Sequence, residues 1–145
     1  MAKEKVTVDR VVSFYEGIKT IEDNNKLDTK ISYRLGRLSD GCRSIIRVLE
    51  RTQNKMKAEL SENVQRERKN WDKKSESERE AANAACKILN EDFVAKIDAL
   101  MDAEEELEVP TLRLSDFDSK DVPVKFYAMF GQYIVEDELK KQPKE

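Results

Sequence analysis

The chain has 145 residues, 27 Lys and Arg against 30 Asp and Glu, and charged residues make up 39% of it. It contains no histidine, which removes the usual general base, the Ser-His and Cys-His nucleophile pairs and most zinc sites. A net charge of −3 argues against a general nucleic-acid coat, though not against a local basic site.

Residues 1–6 read as a loose arm with no apolar core of a signal peptide. A first helix is expected over 7–23, with Val8, Val11, Tyr15, Ile18 and Ile21 on one face. Asn24-Asn25 marks a turn, and Asp28 is a reasonable cap for a second helix.

That second helix is very long, expected over 28–68. Its apolar positions Ile31, Leu35, Leu38, Cys42, Ile45, Leu49, Thr52 and Met56 alternate steps of four and three, as in a coiled-coil seam. Gly36 and the Ser39-Asp40-Gly41 stretch either break that helix or let a neighbouring helix approach closely. Residues 65–80 are almost wholly polar apart from Trp71 and read either as the solvated hairpin tip or as a mobile loop. Ser75-x-x-Glu78 and Ser77-x-x-Glu80 are equally good capping boxes for a return helix over 77–106.

Charge suggests how the two helices meet. From Lys30 to Lys57 there are eight basic residues against Asp40 and Glu50, and from Glu91 to Glu108 eight acidic residues against Lys96. A turn near Lys73 lays the first segment opposite the second. Cys42 and Cys86 do not fall opposite each other in that register, so no intrachain disulfide is expected. Two unpaired cysteines fit a reducing cytoplasm.

Beyond the hairpin, 109–121 reads as an extended segment and loop, since Pro110 excludes helix and limits any strand to an edge. Pro123 opens a last helix over 123–139, with a loose tail over 140–145. No apolar run reaches membrane-span length.

Candidate sites are few. The run Asp102–Glu108 and the pair Asp116 and Asp118 hold carboxylates of the kind hard cations prefer, but a solvated face and an aspartate-rich turn are the simpler readings. The basic stripe Arg43, Arg47, Arg51, Lys55 either tracks phosphates or pairs with the acidic helix; no aromatic residue interleaves it, so single-strand stacking lacks a platform. Phe117, Phe126, Tyr127, Phe130 and Tyr133 are either core or the dock for a partner protein. No catalytic, cofactor-binding or metal-ligating residue is assigned, and no enzymatic activity is expected.

The order of elements resembles an uncharacterised family of small tailed-phage proteins. The matching residues are Leu27, Ile31 and Tyr33, then Phe93, Ile97, Leu100 and Met101, then Glu108-Val109-x-x-Leu112-x-Leu114-x-Asp116, with Pro123 and Met129 after. The resemblance implies phage origin, a place in the particle or the host bacterial cytoplasm, and a non-enzymatic role.

The expectation is therefore an all-α chain built on a long antiparallel, coiled-coil-like hairpin, forming a single elongated domain. It acts by protein–protein contact, as a homo-oligomeric particle or assembly component. The alternatives are an inhibitor that binds a host defence protein, or a nucleic-acid binder using the Arg43–Lys55 stripe. No membrane association is expected.

Overall fold

In the computed structural model, residues 2–22, 27–117 and 122–135 are described. The chain is mostly helical, with a few short strands. The elements are β1 (Ala2–Thr7), α1 (Val8–Lys19), α2 (Thr29–Glu67), α3 (Glu76–Met101), β2 (Glu104–Val109), β3 (Leu112–Arg113), α4 (Val124–Phe130) and β4 (Ile134–Val135). They form two compact units, residues 1–46 with 104–145, and 47–103. Residues 29–46 of α2 belong to the first unit and residues 47–67 to the second.

In the first unit the N-terminal arm is a strand. β1 pairs antiparallel with β2, placing Lys3 opposite Glu108, Lys5 opposite Glu106 and Thr7 opposite Glu104. The alternation of side chains along a strand explains the outcome. One face carries Lys3, Lys5, Glu104, Glu106 and Glu108; the other buries Val6, Leu107 and Val109. The expected return helix to 106 therefore stops at Met101, and the extended segment begins at Glu104 rather than at 109. Carboxylates at 102 and 106, and at 104 and 108, would repel on one helix face. In the strand Glu106 and Glu108 lie opposite Lys5 and Lys3 instead.

α1 starts where Thr7 accepts a hydrogen bond from the Arg10 N–H (3.2 Å). Its buried face is Val8, Val11, Phe14, Gly17 and Ile18. The helix ends at Lys19, short of the expected 23; positions 23–26, including Asn24-Asn25, lie outside the described residues.

α2 is continuous through Gly36 and Gly41. The two glycines differ in their surroundings. A Cβ on Gly41 would stand 2.8 Å from Leu107 Cδ1, so β2 presses directly on this helix, whereas at Gly36 nothing lies within 4 Å. Gly36→Ala is expected to stabilise the chain by up to about 1 kcal/mol through helix propensity. Gly17 gives the opposite sign. Its added Cβ would meet Met129 and Phe130 at 3.0 Å, so Gly17→Val is expected to destabilise by about 1–3 kcal/mol through overpacking. Thermal denaturation of the two variants measures both.

The core of this unit takes Ile31, Leu35, Leu38 and Cys42 from α2, Val11, Phe14 and Ile18 from α1, and Leu112, Phe117, Phe126 and Phe130 from the C-terminal part. Phe126 stacks on Phe130 (centroids 4.5 Å) and meets Phe117 at 4.9 Å; Phe14 meets Phe130 at 5.0 Å. Arg10 Nη1 donates to the Met129 carbonyl (3.1 Å), tying α1 to α4. The last helix does not reach 139. It ends at Phe130 because Gly131 takes φ +53°, a left-handed conformation that glycine adopts freely. The chain then forms a short 3-10 turn and β4, which pairs parallel with β3. Positions 136–145, including the expected tail, lie outside the described residues.

The second unit is the rest of α2, a turn and α3. Asn70 turns the chain at φ 59°, a value asparagine tolerates. The guanidiniums of Arg68 (4.5 Å) and Arg79 (5.4 Å) both lie over the Trp71 ring, and Arg79 Nε donates to the Trp71 carbonyl (3.1 Å). Of the two capping boxes, Ser75–Glu78 forms: Ser75 Oγ accepts from the Glu78 N–H, and Glu78 accepts from the Ser75 N–H at 2.7 Å. That second bond holds the Glu78 carboxyl below its usual range. The cap is thus complete above the ordinary carboxylate pKa and weakens as pH falls through the lowered one.

Candidate interaction surfaces

The expected aromatic dock is core. Phe117, Phe126 and Phe130 are at most 2% exposed, and Tyr127 and Tyr133 are half-buried against them. Size and aromatic density fitted either role; the helix α1, which covers this end, makes it core.

The basic stripe does not pair as expected within the chain. Arg43 turns to Asp40 on its own helix (3.1 Å) and to the Tyr15 phenol, whose hydrogen bond raises the Arg43 pKa. Among the described residues, Arg47, Arg51 and Lys55 have no acidic partner within 4 Å, and all three are exposed. Among those residues, too, the single tie between the basic and acidic runs is Arg37 to Glu108 (3.4 Å), a half-exposed pair that contributes about 0–1 kcal/mol.

α3 is apolar on two sides. One stripe, Ala82, Cys86, Leu89, Phe93, Ile97 and Leu100, is buried or half-buried. With Met56 and Leu60 of α2, Leu89 and Phe93 line a shallow groove of about 60 Å³. A second stripe, Ala81, Ala84, Ile88, Ala95 and Ala99, follows steps of three, four and seven, and every member is exposed. Ile88 is 65% and Val48 of α2 53% exposed. A helix apolar on more than one side is normally covered on more than one side.

Both cysteines are buried. Burial pushes the Cys42 thiol up to about 12, so it is not a thiolate at neutral pH; Cys86 is buried and also free. Among the described residues no three of His, Cys, Asp and Glu converge. Asp116 closes its own turn, accepting from the Arg113 N–H at 2.9 Å, while Asp118 lies outside the described residues. A cavity of about 390 Å³ is lined by residues that include Ile18, Ile21, Leu27, Leu35, Arg37 and Arg43; both guanidiniums already have the carboxylate partners named above. No described helix is long and apolar enough to cross a membrane.

No protein-family model, curated protein or solved structure matches the chain.

Proposed function

We propose that this is a non-enzymatic interaction protein that self-associates along the flank of an antiparallel, coiled-coil-like hairpin formed by residues 47–103. The observation that carries this reading is the second apolar stripe of α3, exposed in a unit whose α2 also exposes Val48. A helix pair alone is a thin core, and in this unit only Leu49, Ala82 and Cys86 are buried. Charge favours a second copy as the neighbour. Arg47, Arg51 and Lys55 lie on one helix, and Glu91 and Asp98 on the other, none with an ion pair within 4 Å among the described residues. A two-fold arrangement, the commonest symmetry of soluble oligomers, sets the basic helix of each copy beside the acidic helix of its partner. A role as a phage particle or assembly component rests on the family resemblance carried by Leu27–Met129.

The same unpaired cations favour one second reading, phosphate tracking by Arg47, Arg51 and Lys55. Reversing Arg47 and Arg51 to Glu separates the two. If the hairpin self-associates, Arg47→Glu with Arg51→Glu weakens association about tenfold, and more at low salt. If nucleic acid is the partner, the native chain binds a DNA duplex with steep salt dependence, and the reversal abolishes that binding.

A further inference from the structure

β2 has two edges, and β1 occupies one. Among the described residues the other edge has no backbone partner. Four consecutive residues of β2, Glu105 to Glu108, line a half-open cavity of about 480 Å³ together with Lys3 of β1 and Arg37, Asp40, Gly41 and Ile45 of α2. Consecutive strand residues point to opposite faces, so a cavity touching all four takes in the strand's free edge as well as the face that Lys3 shares with Glu106 and Glu108. Leu107, pressed onto α2 at Gly41, holds that edge in place. We propose that this slot takes an extended basic segment of a partner protein, added as a third strand beside β2.

Charge and geometry select that occupant. β2 carries Glu104, Glu105, Glu106 and Glu108, and only Glu108 has an ion pair within 4 Å among the described residues. β1 shows what such a strand accepts on its first edge, lysines at alternate positions opposite Glu106 and Glu108. A second copy does not fit. β2 against β2 sets four glutamates against four. β1 of another copy against this edge would repeat the molecule every two strands, roughly 10 Å, too short for a body in which helices about 10 Å wide pack on the ribbon. A segment of a different protein, with Lys or Arg at alternate positions, satisfies both the free backbone groups and the carboxylates. This inference concerns the first unit and is independent of hairpin self-association.

The probe is an end-blocked eight-residue peptide alternating lysine and threonine, added to the full-length chain, with amide hydrogen exchange read at residues 104–109. In the free chain, alternate amides of β2 exchange quickly; with peptide they become protected. The matching glutamate–threonine peptide gives no protection. Glu105→Lys with Glu106→Lys weakens lysine-peptide binding by about tenfold or more, equivalent to about 1.4 kcal/mol; if that variant does not fold, the two-peptide comparison on the native chain carries the test. The proposal is overturned if all six amides are already protected without peptide, if the peptide binds without protecting them, or if the glutamate peptide binds equally well.

Discussion

Phe126→Ala is expected to lower folding stability by about 3–5 kcal/mol, the usual cost of emptying a buried aromatic site. The ring is fully buried and contacts three others, Phe117, Tyr127 and Phe130. Those rings are anchored to α1 through Phe14, so the cavity has little freedom to collapse. Against the roughly 5–15 kcal/mol available to a domain of this kind, the loss is a large fraction. Urea denaturation should show a lower midpoint with an unchanged slope. A change below about 1 kcal/mol would mean that the aromatic end is not packed as described.

Val48→Glu combined with Ile88→Glu is expected to abolish self-association while leaving the chain folded. Both side chains are more than half exposed, so their replacement is expected to change folding stability by no more than about 0.5 kcal/mol. In a two-fold dimer each position counts twice. Burying a Val or Ile side chain contributes about 1.5–3 kcal/mol, so even half that benefit at four positions, lost together, weakens association about a hundredfold or more. Circular dichroism confirms the fold and light scattering reads the association. A folded double variant that associates as tightly as the native chain would place the interface elsewhere.

The seam of α2 was legible because its spacing is strict and long. Ile31, Leu35, Leu38, Cys42 and Leu49 are all buried. What periodicity does not reveal is which neighbour covers a seam. Its first half lies in the core with α1, the β1–β2 ribbon and the aromatic end, whereas the expectation placed the acidic helix there. Residues 102–108 were misread because charge dominates that run and glutamate suits helices. The period-two signal, Leu107 and Val109 alternating with Glu106 and Glu108, is only four residues long. Its partner signal, Lys3 and Lys5 alternating before Val6, lies about a hundred residues away, and only the pairing makes either convincing. The aromatic cluster was ambiguous for another reason: interfaces and cores favour the same residues, and burial is a property of what covers them. Gly36 and Gly41 carried the same signal, a break or a close approach, although only Gly41 is pressed by a neighbour, and Gly17 gave none; a glycine in a helical pattern reads the same whether or not another segment touches it.

The most direct test of hairpin self-association is the solution mass of the native full-length chain by sedimentation equilibrium, over about 1–100 µM, where mass action shifts any reversible oligomer. Self-association through the exposed flank predicts a mass that rises with concentration from 16.8 kDa per chain toward twice that value. A mass fixed at that of one chain across the whole range would contradict it.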